Sequence, residues 1–309
     1  MDELKQFINR HKRLLQGSIS IVFLTVLIWQ SNIHELLGYI ADAPLIYLIP
    51  WFIFYDTVGM FLGANKIYFL LKRLKNNNFK KILMTSCKLQ IMAEVVPGRL
   101  GDLSLPYFLK DSYTIAQSTA VLIVDKIISL SLTSIVAIVG VGVILSWFYL
   151  AATGIVVITI SSLFFITRGS KVILRYFHGF FFNKIDDLLS EIIATINNFK
   201  GIIWNISHTL LQVVLAGISY TLILKMFGED VDLWHIVAVQ AIIQIITIVP
   251  VTVNGIGLAE GTLVFLLGRV GTEAEVVLAA SISGRIIHLI FMILLSLFWF
   301  RNTVLVNQK

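Results

Sequence analysis

The sequence has little charge and almost no cysteine, and each shortage excludes a class of protein. Charged residues make up 14% of the 309 residues, whereas an ordinary soluble domain has about 25%. The one cysteine, Cys87, excludes an internal disulfide and any metal site built from several cysteines. No Walker-type phosphate-binding loop occurs, so ATP-driven transport would require a partner protein. With 57% hydrophobic residues, the chain is expected to be an integral membrane protein.

The net charge of +6 has two explanations, nucleic-acid binding and membrane topology. The basic residues cluster beside long apolar runs, as the positive-inside rule describes for cytoplasmic loops. We therefore expect no nucleic-acid partner, an uncleaved N-terminal signal anchor, and both termini on the cytoplasmic side of the cell membrane. Apolar runs that can cross about 30 Å of hydrocarbon as helix predict an all-α polytopic membrane protein with about six to eight transmembrane helices.

The individual spans follow from the apolar runs and the charges between them. The first two are predicted over residues 18–39 and 44–64, and the basic stretch that starts at Lys66 is predicted to be a cytoplasmic loop. The stretch 82–96 is too short and too polar to span fully. Residues 127–167 carry no formal charge and would be about 60 Å long as one helix, so they must form two spans that turn near residues 142–149.

Apolar residues recur at helical spacing between about residues 172 and 200, with charged residues on the opposite face. This pattern predicts an amphipathic helix that lies along the membrane interface. Further spans are predicted over residues 201–224 and 276–300. The chain, residues 1–309, is then a single transmembrane domain whose two half-repeats, about 44–167 and 201–300, flank the amphipathic helix.

Proline and glycine interrupt the apolar pattern in two places, of which the first reads "VVPGRLGDLSLP". Pro97 removes a backbone donor, and Gly98 and Gly101 free the backbone dihedral angles, so the helix should break here. In lipid, an unwound backbone is tolerated only where protein or a water-filled cavity surrounds it. We therefore expect Arg99 and Asp102 to lie in a protected polar cavity.

The second interruption reads "IVPVTVNGIGLAEGTLVFLLG". Helix breaks are expected there at Pro250, Asn254, Gly255 and Gly257, ahead of an acid, Glu260. Both segments place Val-Pro before two glycines and an acid, and their prolines lie 153 residues apart, about half the chain. The neighbouring charges return the first segment to the cytoplasm and the second to the outside. The layout predicts an inverted repeat with two re-entrant broken-helix hairpins that enter from opposite faces.

Charged side chains in or near these segments form the candidate substrate site. Asp125 and Lys126 follow Asp102 by 23 and 24 residues, and Arg285 follows Glu260 by 25. A charge within a span costs at least about 2.5 to 3.5 kcal/mol, so such residues are functional candidates by default. Arginine presents rigid donors that suit a phosphate group. The predicted substrate-binding residues are Arg99, Asp102, Asp125, Lys126, Glu260 and Arg285.

A structural role stays open for each of these charges. An arginine and a neighbouring acid could form an ion pair that only braces a bend. The candidate pairs are Arg99 with Asp102, and Arg285 with either Glu260 or Asp125. Lys126 could likewise pair or extend its amine toward the interface without touching substrate.

Four further polar residues lie singly in apolar runs. Asp56, the sole charge of the second predicted span, is either a proton site or a hydrogen-bonded structural residue. His208, His235 and His288 lack the spaced partners that a metal site needs, so a structural role is predicted for each. We expect no metal and no other cofactor.

Two pairs of motifs resemble the flippase-like transmembrane region of lysylphosphatidylglycerol synthase/flippases of the multiple peptide resistance type, a region shared with many stand-alone membrane proteins. The first pair is "PGRLGDLSLPYFL" with "STAVLIVDKIISL", and the second is "VPVTVNGIGLAEG" with "SISGRIIHLI". The resemblance covers about residues 15–300, with Lys126 where arginine is usual and Asn254 where glycine is common. Lysine gives up bidentate phosphate contacts, whereas asparagine can still adopt a left-handed turn.

The resemblance implies that the chain moves a lipid head group across the bilayer, with the re-entrant segments lining the path. Family substrates include aminoacylated phosphatidylglycerol and, for other members, lipid-linked sugars. The aminoacyl-transferring synthase domain is not expected in a chain of this length, so we expect a stand-alone transporter that is not an enzyme. The implied substrate is an anionic or zwitterionic phospholipid or a lipid-linked sugar, and a homo-oligomer or a lipid-synthesising enzyme partner stays open.

Two other functions stay open at this point. A membrane-embedded transferase or hydrolase could act on a lipid phosphate with Asp102 or Glu260 as the general base. A lipid-binding accessory subunit of a glycosyltransferase or synthase would bind the same head group without moving it.

Overall fold

The computed structural model describes residues 18, 20–29, 31–74, 78–95, 103–145, 182–248 and 252–306. Over these ranges every regular element is helical, which confirms the predicted all-α class. Two short 3-10 helices, Leu45–Tyr47 and Val253–Gly255, join longer elements. The α-helices are α1 Ser20–Trp29, α2 Ile33–Asp42, α3 Leu48–Leu71, α4 Phe79–Val95, α5 Leu105–Leu109, α6 Ile115–Ile144, α7 Phe182–Ile196, α8 Phe199–Met226, α9 Leu233–Ile246, α10 Leu258–Gly268 and α11 Ala274–Val306.

Three of the described helices are long and apolar enough to cross a membrane. They are α6 with 30 residues, α8 with 28, and the first 24 residues of α11, Ala274–Leu297. Helix α3 has 24 residues and is about 36 Å long at 1.5 Å per residue. These helices bear out the membrane class, whereas the predicted six to eight spans and the inverted repeat stay predictions.

The first predicted span, over residues 18–39, is broken into two helices, which can form either one broken span or a re-entrant loop. Helix α1 ends at Trp29 and α2 begins at Ile33, and the two helices are bent by 96°. Ser31 Oγ donates to the Leu27 carbonyl at 2.9 Å, which satisfies an acceptor at the end of α1. Asn32 then caps α2, because its side chain accepts from the His34 N–H. These two polar residues redirect the chain within an apolar run.

The second predicted span is shifted toward the C-terminus. Helix α3 begins four residues after the predicted start at residue 44 and continues to Leu71. Lys66 therefore lies inside the helix and is 7% exposed, so its assignment to a cytoplasmic loop is wrong. The physical reason is a carboxylate on another helix, Asp125 of α6, which pairs with the lysine amine.

Helix α6 begins with a capping box. The Thr114 hydroxyl accepts from the Gln117 N–H, and the Gln117 side chain accepts from the Thr114 N–H, both at 3.1 Å. The helix ends at Ile144, inside the stretch 142–149 where a turn is predicted. The second span predicted from the same uncharged run lies outside the described residues.

Helix α7 lies within the stretch 172–200 for which an amphipathic helix is predicted. Its Glu191 carboxylate pairs with Arg73, just after α3, and accepts from Gln117 Nε2 at 3.2 Å. Arg73 also donates to Thr195 Oγ1 at 3.2 Å. Helix α7 is thus attached to α6 and to the end of α3, while its position at the membrane interface stays a prediction.

The core of the bundle surrounds α9. Helices α6, α8 and α10 all contact it, and seven of its residues are buried. A Cβ atom on Gly140 of α6 would lie 2.5 Å from the Ala238 Cβ of α9, so the small side chain permits a close approach of the two backbones. Helix α9 therefore lies among α6, α8 and α10.

Candidate functional site

The described part of the second broken segment, residues 252–257, is not α-helical. Helix α9 ends at Ile246, and α10 begins at Leu258 after the 3-10 turn Val253–Gly255. Asn254 has φ 48°, so it adopts the left-handed conformation that its side chain tolerates better than most. With 14 and 11 residues, the flanking helices are about 21 and 16 Å long, and neither crosses a bilayer core by itself. Pro250 lies outside the described residues.

Gly257 is needed both for its backbone conformation and for the close approach of α1. Its φ of 83° is a conformation that side chains with a Cβ rarely adopt, and an added Cβ would lie 2.4 Å from the Phe23 Cβ of α1. Gly255 also has a positive φ, 73°. Ser20 of α1 supports the same turn, because its hydroxyl accepts from the Val253 N–H at 2.8 Å. Helix α1 therefore packs directly against the break.

Glu260 and Arg285 form an ion pair beneath the break. Arg285 Nε and Nη2 each lie 2.8 Å from Glu260 Oε1, and Nη1 donates to the Asn254 carbonyl at 3.3 Å. The other carboxylate oxygen, Oε2, accepts from the Gly257 N–H at 2.6 Å. Glu260 is 1% exposed, so the arginine supplies the charge that its burial requires. Of the two partners left open for Arg285, the structure selects Glu260.

Asp125 pairs with a lysine that sequence reasoning assigned to a loop. Lys66 Nζ lies 3.1 Å from Asp125 Oδ1, and Asn205 of α8 donates to the same oxygen at 2.8 Å. Lys66 also donates to Ser129 Oγ at 2.8 Å. The sequence shows Lys66 only as a lysine at the end of an apolar run, which does not identify Asp125 as its partner. The positive-inside rule assigns such a lysine to a loop.

Asp56 and His288 form a third acid–base pair. His288 Nδ1 lies 3.0 Å from both carboxylate oxygens of Asp56, which is 3% exposed. The structural role predicted for His288 took no account of this partner, which is 232 residues away in the sequence. His208, in contrast, contacts the Trp204 carbonyl of its own helix at 2.7 Å, and His235 contacts Asp232 at 3.2 Å.

These three pairs surround one cavity of about 550 Å³. Helices α3, α4, α6, α8, α9, α10 and α11 and the turn at Asn254 contribute to its wall. The charged or titratable side chains in the wall, apart from two tyrosines, are Asp56, Lys66, Asp125, Lys126, Arg285 and His288. Amide side chains add neutral donors and acceptors: Gln90, Gln212, Gln240, Gln244 and Asn254. Glu260 lies behind Arg285.

The structure brings four of the six predicted substrate-binding residues to this cavity or to its immediate support. Asp125, Lys126 and Arg285 line it, and Glu260 holds Arg285. The other two, Arg99 and Asp102, lie outside the described residues, as do Pro97, Gly98 and Gly101. Helix α4, which leads into that first segment, contacts the turn Val253–Gly255 and contributes to the cavity wall.

The side chains of the wall can bind a polar ligand. Within the described ranges, no three His, Cys, Asp or Glu side chains come together as they would to hold a metal ion. The wall instead offers a guanidinium, two ammonium groups and several amides, which are the groups that bind phosphate and hydroxyl oxygens.

Comparison with known proteins identifies a family for the chain. No curated protein and no solved structure matches the chain. The family model described as lysylphosphatidylglycerol synthase TM region matches residues 13–296, nearly the whole length. This agrees with the two motif pairs and with the helical bundle. The chain therefore belongs to the lysylphosphatidylglycerol synthase TM region family, and a function connected with membrane lipid follows.

Proposed function

We propose that this protein is a lipid flippase that moves a phospholipid or a polyprenyl-phosphate-linked head group across the cytoplasmic membrane through the cavity. The observation that carries the proposal is the set of charged side chains in the cavity wall, which come from α3 and from two helices of membrane-spanning length, α6 and α11. Each such charge costs at least about 2.5 to 3.5 kcal/mol in a span. A bundle that needed only stability would be expected to bury apolar residues at these positions.

The size of the cavity supports a head group as the ligand. Its volume of about 550 Å³ falls within the roughly 300 to 1,000 Å³ that is usual for small-molecule sites. The acyl or prenyl chains need no site of their own, because they can stay in the surrounding hydrocarbon. Only the polar part of the lipid, which water and protein must solvate, has to enter the bundle.

Arg285 is the leading phosphate-binding candidate. Glu260 and the Asn254 carbonyl engage three of the five N–H groups of its guanidinium, which also forms part of the cavity wall. The remaining N–H groups can donate to phosphate oxygens, and Lys126 adds a second cation. Lys66, in contrast, is engaged by Asp125 and Ser129, so its main role is to neutralise the buried acid.

The broken segments would give the head group its path. An unwound backbone exposes helix ends, whose partial charges can solvate an ion or a phosphate part of the way across the membrane. If the first segment enters from the cytoplasm and the second from the outside, Arg99 and Asp102 join the same cavity from the other side. Transport would then run downhill or be coupled to an ion gradient.

The test is translocation of fluorescent phosphatidylglycerol by protein reconstituted in phosphatidylcholine vesicles. Arg285→Gln combined with Glu260→Gln removes both charges of the pair without leaving either one alone, and we expect translocation to fall at least tenfold. Arg269→Gln is the matched control, because this arginine is exposed at the end of α10 and is absent from the cavity wall. It should transport as the wild type does.

Three outcomes would replace the proposal. Normal translocation by the double variant would show that the cavity is not the path. A chemically altered lipid, detected by mass spectrometry after incubation with the purified protein, would support the enzyme alternative. A wild-type protein that binds the lipid, translocates none of several candidate lipids and purifies with a lipid-synthesising enzyme would support the accessory-subunit alternative.

A further inference from the structure

The pair formed by Asp56 and His288 has no part in the head-group contacts described above. Both residues nevertheless line the same cavity as Arg285 and Lys126. We propose that Asp56 and His288 form a proton-binding site of this cavity, and that binding of an anionic head group takes up a proton there. The inference rests on the proposed function, because it concerns the ligand of the same cavity.

The geometry of the pair suits a proton site. His288 Nδ1 lies 3.0 Å from each carboxylate oxygen of Asp56, so one ring nitrogen is committed to the acid. The carboxylate is 2% exposed and the imidazole is 23% exposed, which leaves the histidine as the member of the pair that meets the cavity. Histidine is the side chain that ordinarily changes charge between about pH 5 and 8. Acid and histidine pairs within membrane spans are recurrent parts of proton relays.

The charged and titratable groups around the pair come from α3, α6, α8, α10 and α11. Tyr55 and Lys66 share α3 with Asp56, Arg285 lies one turn before His288 on α11, and Glu260 of α10 lies behind that arginine. Helix α6 contributes Asp125 and Lys126, and α8 contributes Tyr220. The cavity-lining residues of α4 and α9 carry no formal charge. Helix α2 lies by the N-terminal end of α11, more than ten residues before His288, where Tyr39 and Asn32 contact Glu273 and Glu275.

The formal charges of these groups sum to zero when His288 is neutral. Three cations and three carboxylates lie in or directly behind the described wall: Lys66, Lys126 and Arg285, and Asp56, Asp125 and Glu260. With neutral His288 this part of the site carries no net charge. With protonated His288 it carries one positive charge, which matches the single negative charge of a phosphodiester head group.

Coupling between proton and head group follows from this balance. A phosphate in the cavity favours the imidazolium, and by thermodynamic reciprocity the imidazolium favours the phosphate. If lipid binding requires protonated His288, the affinity for lipid falls once the pH is high enough to deprotonate the empty site. Above that pH the affinity falls by up to about tenfold for each pH unit. Head-group affinity should therefore be highest at low pH and fall as the pH rises.

The test measures protons directly on the whole protein in detergent. Short-chain phosphatidylglycerol is added at a series of pH values to protein in weakly buffered dodecylmaltoside, and a pH-sensitive dye records proton uptake while calorimetry records affinity. We expect uptake that approaches about one proton per bound lipid, and a pH-dependent affinity. His288→Gln keeps a hydrogen-bonding side chain without the titration, so it should abolish proton uptake and bind lipid with a low affinity that no longer depends on pH. His208→Gln is the matched control, because this half-buried histidine of α8 is absent from the cavity wall.

A second variant tests the proton site independently, in case His288→Gln does not fold. Asp56→Asn should also abolish proton uptake, and elution of either variant as a monodisperse peak shows that it is folded. Lipid binding by the wild type without proton uptake, or uptake that persists undiminished in folded His288→Gln, would overturn the proton site. Failure of translocation in vesicles together with normal proton uptake would instead overturn the proposed flippase and leave the proton site standing.

Discussion

The pair formed by Lys66 and Asp125 makes the sharpest prediction for stability. The two charges are 3.1 Å apart, and their side chains are 8% and 11% exposed. At that distance their attraction is about 5 kcal/mol for an effective dielectric constant of 20. Lys66→Met keeps the length of the side chain but leaves the buried carboxylate without its cation. We expect it to lower the free energy of unfolding by about 3 to 5 kcal/mol.

The matched control is an ion pair of the same length at the surface. Lys225 and Asp230 are also 3.1 Å apart, but their side chains are 54% and 85% exposed. Lys225→Met should therefore cost no more than about 1 kcal/mol, because water screens the pair. Unfolding would be followed by tryptophan fluorescence during titration with sodium dodecyl sulfate in mixed micelles. Equal costs for the two lysines would refute the burial argument.

The double variant separates loss of the pair from loss of the lysine. Lys66→Met with Asp125→Asn removes both charges, and Asn205 can still donate to the amide oxygen at position 125. We expect the double variant to unfold within about 1 kcal/mol of the wild type, which makes the two substitutions strongly non-additive. If the double variant loses as much stability as the sum of the losses caused by Lys66→Met alone and Asp125→Asn alone, the two side chains are not energetically coupled.

Two further predictions concern the break and the amphipathic helix. Gly257→Ala should destabilise the protein by about 2 to 5 kcal/mol through backbone strain and a clash with α1. Gly271 has a φ of 95° and no neighbour within 4 Å, so Gly271→Ala should cost only the strain, about 1 to 2 kcal/mol. Thermal unfolding in detergent compares the two variants, and equal losses of stability would refute the clash with α1. Arg73→Ala should raise the rate of amide hydrogen exchange throughout α7, because it removes the partner of Glu191. Unchanged exchange rates, measured by mass spectrometry, would show that other contacts hold α7.

The second broken segment was predictable because its signals are local. Asn254 and Gly257 tolerate positive φ, and no partner elsewhere in the chain is needed to infer that a helix ends before them. The same logic fails at Ser31 and Asn32, where ordinary end-of-helix signals lie inside an apolar run. Hydropathy favoured a continuous span there, but a single capping residue was enough to start a new helix.

The partners within the site were much less predictable. Lys66 is 59 residues before Asp125, and His288 is 232 residues after Asp56, so each pair is decided by how distant helices pack. Charge rules score each residue by its sequence neighbours, so they place Lys66 in a loop and give His288 no partner. Glu260 can be identified because its segment carries several unusual residues together, and Arg285 because it is a charge in an apolar run, although the choice of partner requires the fold.

The most direct test of the central claim asks whether a head group must pass through the cavity. Gln212→Cys in a Cys87→Ser background places one thiol in the wall, and Asp230→Cys places one in the exposed loop before α9. Both are treated with a charged methanethiosulfonate reagent, labelling is quantified by mass spectrometry, and phosphatidylglycerol translocation is measured in vesicles. We predict that labelling stops translocation at position 212 and leaves it unchanged at position 230. Full translocation by protein that is completely labelled at position 212 would contradict the claim that the cavity is the path.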